Sequence, residues 1–294
     1  MTSNGAPNGA SDGSEGPPAE GGAPEASSPD ASADVAGSDA TPMQAGAHVR
    51  FADWTPDAPA AGFSFCLAPR GTSTWMGPFL PQGLPFPGTG AAYADVPPGD
   101  YEVQVVVATP SSDCTTGVIP ASYGLPMFAD GTYATIATIG NMMPTGGDAS
   151  MKVAAFLDDV SGTAAGLKLR AINASSRVGY AEVGTGSQAA GNFSVLFPDV
   201  AFGSAAATVD GGTTDSNGYA LLAPLSGAEL SAYPIVGDSS QSVTASQVSL
   251  GAGIAATLVV VGAEDNGGLP AQIIICNDVA AAGGAASPCT SYSQ

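Results

Sequence analysis

Along Tyr101 to Ala108, the residues Tyr101, Val103, Val105 and Val107 alternate with Glu102 and Gln104. Successive side chains of a β-strand point to opposite faces, so this period of two predicts a strand with one face on a core. Val49-Arg50-Phe51 and Leu169-Arg170-Ala171 follow the same rule, with the apolar pair on one face and the basic residue on the other. Turn-forming clusters separate such runs: Pro97-Pro98-Gly99-Asp100 precedes the Tyr101 strand, and Ala223-Pro224-Leu225-Ser226-Gly227 precedes Glu229 to Val236. Short strands with Gly/Pro turns at roughly 8–12-residue spacing, and no 3.6-residue apolar period, predict an all-β protein of antiparallel sandwich type. The longest apolar runs, Ile254 to Gly262 and Ala271 to Cys276, are strand-sized. A membrane-crossing helix needs about 18 apolar residues, so no transmembrane segment is expected.

The chain repeats itself. Val49-Arg50-Phe51-Ala52-Asp53-Trp54-Thr55 aligns with Leu169-Arg170-Ala171-Ile172-Asn173-Ala174-Ser175, and His48 aligns with Lys168. The glycine-bracketed run Gly131 to Gly140 matches Gly253 to Gly262, and Ala155-Phe156-Leu157-Asp158-Asp159-Val160 matches Ile274-Ile275-Cys276-Asn277-Asp278-Val279. Three blocks in one order at a nearly constant offset predict two copies of one unit. We place two tandem antiparallel β-sandwich domains, immunoglobulin- or transthyretin-like, at 47–162 and 165–280. The connector Ser161 to Gly166 would hold them close without fixing their angle, and 281–294 would be a C-terminal tail.

Residues 1–46 hold 8 Gly, 6 Pro, 10 Ala and 7 Ser with 7 acids, no base and no aromatic. Such a composition cannot bury enough apolar surface to order itself, so it reads as a disordered acidic tether. Thr2 to Glu20 lacks the basic and apolar regions of a secretory signal. A signal, and a lipid anchor of the kind that precedes such tethers in bacterial surface lipoproteins, would then be missing from this sequence. A disordered leader without an anchoring role is the alternative.

Six Lys+Arg against 26 Asp+Glu give a formal net charge of −20. Nucleic acid and anionic membranes both require a basic face, so neither is an expected partner. The four cysteines, Cys66, Cys114, Cys276 and Cys289, include no Cys-x-x-Cys pair, and His48 is the only histidine. Disulfides fit this pattern better than zinc and imply an extracytoplasmic compartment. Three connectivities are open. Pairing within sequence halves would join Cys66 to Cys114 and Cys276 to Cys289, the latter tying the tail to the last strand.

The segments Val49 to Pro59, Tyr93-Ala94-Asp95-Val96-Pro97-Pro98-Gly99-Asp100-Tyr101-Glu102-Val103-Gln104-Val105 and Gly131 to Gly140 resemble the bacterial secreted family catalogued as domain of unknown function 4397. The second copy resembles it through Leu169 to Ser175, Phe197-Pro198-Asp199-Val200-Ala201-Phe202-Gly203 and Gly253 to Gly262. It lacks the Pro-Asp-Ala-Pro turn after its first strand, and the family's usual first-strand histidine is Asp53 in one copy and Asn173 in the other. The resemblance implies a β-sandwich of extracellular or cell-surface proteins, often in tandem. It supplies no catalytic residue.

Candidate chemistry is sparse. A serine–histidine–acid hydrolase needs an imidazole beside its nucleophile, and His48 sits at a strand start beside the tether. Gly237-Asp238-Ser239-Ser240 lacks the second glycine of a nucleophile turn, and no phosphate-binding glycine loop precedes a helix. Hard cations take clustered oxygens, which makes Asp210, Asp215 and Asn217 of the loop 210–218 a calcium candidate, with Glu264-Asp265-Asn266 and Asp158-Asp159 as smaller clusters. Solvated acidic turns are the plainer reading on so acidic a chain. The proline-rich stretch from Ala68 to Gly90 carries Arg70, Trp75, Met76, Phe79, Leu84 and Phe86. Its rings either stack on a ligand or fold back over an open end of the sandwich. Arg50 and Arg170 share one repeat position, which calls for a structural ion pair with Asp57 or another turn carboxylate, or for a grip on a ligand.

The leading functional expectation is a non-enzymatic secreted or cell-surface module that binds a surface polymer or protein through Trp75, Phe79, Arg70 and Phe86. A structural envelope spacer with no dedicated ligand is the alternative, and a carboxylate- or calcium-dependent enzyme the third.

Overall fold

The computed structural model of the protein describes residues 46–118, 123–235, 242–262, 270–284 and 288–293. The tether, the Gly237 to Ser240 turn and the Glu264 to Asn266 cluster therefore lie outside the described residues. Of the described residues nearly all structure is β. The first copy supplies β1 (Ala47–Trp54), β2 (Phe63–Pro69), β3 (Gly88–Thr89), β4 (Ala94–Val96), β5 (Tyr101–Val107), β6 (Tyr123–Gly124), β7 (Tyr133–Ile139) and β8 (Lys152–Asp158). The second supplies β9 (Leu167–Asn173), β10 (Tyr180–Thr185), β11 (Ser194–Ala201), β12 (Ser204–Ala205), β13 (Thr208–Val209), β14 (Gly212–Thr213), β15 (Tyr219–Leu222) and β16 (Leu225–Pro234). It continues with β17 (Val243–Leu250), β18 (Ala255–Val261), β19 (Gln272–Asn277), the short helix α1 (Asp278–Ala282) and β20 (Cys289–Ser293).

The first copy forms a sheet of order β3-β1-β7-β8, with β4 also on β1, and a sheet of order β2-β5-β6. The second forms β12-β9-β18-β19-β20, with β15 also on β9, and β11-β10-β16-β17. The sandwiches are not purely antiparallel: β1 runs parallel to β7 and β9 runs parallel to β18. Alternation shows which residues share a face but is blind to strand direction, so this feature has no sequence signature. The registers also correct the third repeat block by one residue. Thr135 lies opposite Phe156 and Thr257 opposite Cys276, which makes Asp158, rather than Asp159, the counterpart of Asp278.

Each copy has its own core. Val49, Phe51, Phe63, Phe65, Val103, Val105 and Ile136 fill the first, with Phe51 stacked on Phe65 at 4.8 Å. Leu169, Val183, Phe197, Leu230, Leu258 and Ile273 fill the second. Glycine closes the central strand at one repeat position: Gly140 and Gly262 have φ of 84° and 93°, and a Cβ on either would lie 2.5 Å from a backbone oxygen. Only glycine satisfies both demands.

A third apolar cluster joins the copies. It takes Ala52, Trp54, Ala137, Ile139 and Phe156 from the first and Ile172, Ala174, Val259, Val261, Ile274 and Cys276 from the second. These residues occupy the strand faces opposite the two cores, so the β1 sheet and the β9 sheet are covered on both sides and stack against each other. Residues 42–294 form one compact unit. The Cys66 to Cys114 and Cys276 to Cys289 bridges are both present. The second bonds β20 to β19, so the sheet runs past residue 280, where the sequence reading ends the domain. Among the described residues no helix is long and apolar enough to cross a membrane.

Candidate functional site

The repeated arginines meet at the centre of the stacked sheets. Arg50 on β1 lies beside Thr135 on parallel β7, and its Nε donates to Thr135 Oγ1 at 2.7 Å. Its Nη2 donates to Asp278 Oδ1 of the other copy. Arg170 repeats the arrangement: Nε donates to Thr257 Oγ1 at 3.2 Å and Nη2 to Asp158 Oδ1 at 2.6 Å, again across the interface. Each carboxylate completes itself within its own copy. Asp158 Oδ2 accepts from Thr135 at 2.6 Å and Tyr93 at 2.8 Å, while Asp278 Oδ2 accepts from Thr257 and Tyr219, each at 2.7 Å. The guanidinium groups lie over the rings of Tyr93 and Tyr219, at 5.1 and 4.6 Å.

The four charges balance, and the arginines are 1% exposed and the aspartates 0%. Burial pushes both carboxyls up, but Asp158 lies near two guanidinium groups and is held below its ordinary value. Asp278, with Arg50 as its direct ion-pair partner, remains raised by burial. Burial likewise lifts both tyrosine hydroxyls, which remain donors. The network is almost wholly buried, with Arg170 alone of its charged groups lining a cavity beside β8; what it can do is hold the two copies in one orientation. The expected arginine ion pair is thus present with other partners than Asp57, whose carboxylate accepts from Met142 N and Met143 N. The sequence reading named Asp158 only as part of a cation cluster and missed Asp278, Thr135, Thr257, Tyr93 and Tyr219 as partners. A threonine at one position of both glycine-bracketed blocks was the available signal.

The candidate aromatic residues are spread over separate environments. Met76 and Leu84 bridge to Leu67 and Phe63 of β2, so this stretch takes the edge that β11 takes beside β10. Phe79 packs on Phe51 at 5.1 Å, and Phe86 joins the central cluster. Trp75 is half-buried against Cys66, Cys114 and Val106. Arg70 is exposed, and its Nη2 donates to Leu125 O.

In the calcium candidate, Asp215 Oδ1 accepts from Asn217 N at 2.8 Å and Tyr219 N at 2.9 Å, which closes the turn. Asp210 lies at the β13–β14 hairpin, and the Asn217 carbonyl accepts from Arg170 Nη1 at 3.4 Å. Among the described residues no group of three or more His, Cys, Asp or Glu side chains is placed to hold a metal ion. His48 pairs with Asp95 at 2.7 Å and stacks on Tyr133. Asp159 is held by Lys168 and Ser161.

A second repeat position is occupied differently in the two copies. Asn173 Nδ2 donates to Val178 O and Val200 O, at 2.7 and 3.1 Å. Asp53, its counterpart, accepts from Thr55 N and Thr138 Oγ1, leaving Oδ2 buried without a partner among the described residues. Burial pushes this carboxyl up to about 7. Compared with family models and with curated proteins, the chain matches none.

Proposed function

We propose that this chain is a non-enzymatic module of a secreted or cell-surface protein, a stiff link that holds what adjoins it at fixed separation and orientation. The observation that carries this reading is the charge-balanced pair of arginine–aspartate bridges crossing the interface, which couples two sandwiches that a short connector alone would leave free to pivot. Two disulfides support an oxidising compartment. The acidic Gly/Pro-rich leader supports the same placement. Spin labels at Ser73→Cys and Ser246→Cys, both exposed and in different copies, test it. One narrow distance distribution is expected, broadened by Arg170→Met; a broad distribution in the unaltered protein rejects the stiff link.

A second reading, binding of a surface polymer or protein through the proline-rich stretch, is favoured by half-buried Trp75 beside exposed Arg70. A polymer screen in which Trp75→Ala abolishes a wild-type signal would place function there.

A further inference from the structure

The two copies differ most at one sheet edge. In the second, β20 lies antiparallel on the outer edge of β19, with Cys289 opposite Cys276, Thr290 opposite Ile275 and Tyr292 opposite Ile273. In the first, β8 occupies the position of β19, with Phe156 in place of Cys276. Among the described residues no strand pairs with its outer edge. Backbone groups of alternate residues face opposite edges of a strand. Since Leu157 O accepts from Arg170 at 2.7 Å, outside the β7 ladder, the N–H and C=O groups of Val153 and Ala155 also face outward, with the Leu157 N–H.

This edge is a groove. A cavity of about 460 Å³ runs beside Pro126 and Ala155 to Leu157 of the first copy, walled on the far side by Arg170, Ala205 to Ala207 and Thr214 to Gly218 of the second. Its size falls within the roughly 300–1,000 Å³ typical of ligand sites. Residues of both copies line it, so the partner considered is a lone strand rather than a whole sheet.

We propose that the β8 groove binds one extended peptide strand of small, uncharged residues, antiparallel to β8 as β20 is to β19, by addition of a strand to the sheet. The residue opposite Phe156 takes the place of Cys289, which packs against the central cluster. Phe156 already fills that space, so this residue must be small. The template is uncharged from Cys289 to Ser293, and an acidic peptide would be repelled by a chain of net charge −20. The inference goes beyond the stiff-link reading and fails separately from it, since the spin-label distances do not depend on groove occupancy.

The probe is a fluorescein-labelled synthetic peptide of residues 288–294 carrying Cys289→Ala, titrated with the full disulfide-bonded chain and followed by anisotropy. A saturable rise is expected. Ala155→Pro removes an outward N–H on an edge strand, where proline is tolerated, and should weaken binding at least tenfold with an unchanged melting temperature. Ala207→Trp, at an exposed wall residue, should do the same by bulk and carries the test if the proline variant does not fold. A peptide with proline at the positions of Thr290 and Tyr292 should not bind. No saturable rise at about 1 mM protein, a concentration that detects free energies near −4 kcal/mol, overturns the proposal. Equal affinity in the folded variants overturns it too.

Discussion

The two copies share a strand plan and a central charge network, yet the second is the more completely finished. Its Arg170 Nη1 reaches two carbonyls, whereas Arg50 Nη1 has no hydrogen-bond partner among the described residues. Its Asn173 satisfies both carbonyls that face it, whereas Asp53 leaves an oxygen unpaired. Its β19 is covered by β20, whereas no strand pairs with the outer edge of β8 among the described residues. The arginine–aspartate pairs that cross the interface are thus alike in the two copies, whereas the groups around them differ. Buried charges survive in such a place because removal of one partner strands the other.

Breaking that shared feature should produce the largest effect. Arg170→Met leaves Asp158 buried with a longer, 3.5 Å contact to Arg50; a loss of about 3–5 kcal/mol in chemical denaturation is expected. Adding Asp158→Leu should recover part of it, since an apolar pair of similar volume needs no counter-charge. Next comes the Cys66 to Cys114 bridge, which spans 48 residues. Loop-closure entropy puts replacement of both cysteines by serine at roughly 4 kcal/mol, read as a lowered denaturation midpoint.

The Asp53 and Asn173 contrast is sharpened by pH. The folded value of Asp53, about 7, lies above its ordinary 3.8, so the native state holds a proton that the unfolded chain releases from about pH 4. The stability this proton confers is full below pH 4 and lost as pH rises through about 7. Asp53→Asn, copying the other copy, should remove the dependence. Its stability relative to wild type should improve between pH 4 and 8 by on the order of 4 kcal/mol, measured in parallel urea titrations. The smallest effect belongs to Trp75, half-buried at the disulfide: Trp75→Ala should cost about 1–2 kcal/mol of stability in the same titrations.

Much of the fold was legible. Alternation in Val49 to Phe51 and Tyr101 to Val107 exposed the inward faces, and the repeat offset aligned strands that take equivalent places in their sheets. The opposite faces were harder to read, because a period of two says which residues lie together and nothing of what covers them. Alternation does not name the partners of Arg50 on such a face, although the largely apolar runs Ala255 to Val261 and Ile273 to Cys276 are the mark of strands buried on both sides. The place of the proline-rich stretch was hidden for a related reason. Prolines break its strand pattern, yet its bridges to β2 put it where an edge strand would lie. Strand direction and the aspartate partners depend on long-range pairing, which a one-residue slip in the third block was enough to conceal.

Differential scanning calorimetry of the disulfide-bonded chain tests the coupling of the two copies most directly. If the crossed bridges and the shared apolar cluster unite the sandwiches, one transition is expected, with calorimetric and van't Hoff enthalpies equal. Two resolved transitions, one for each sandwich, would contradict it.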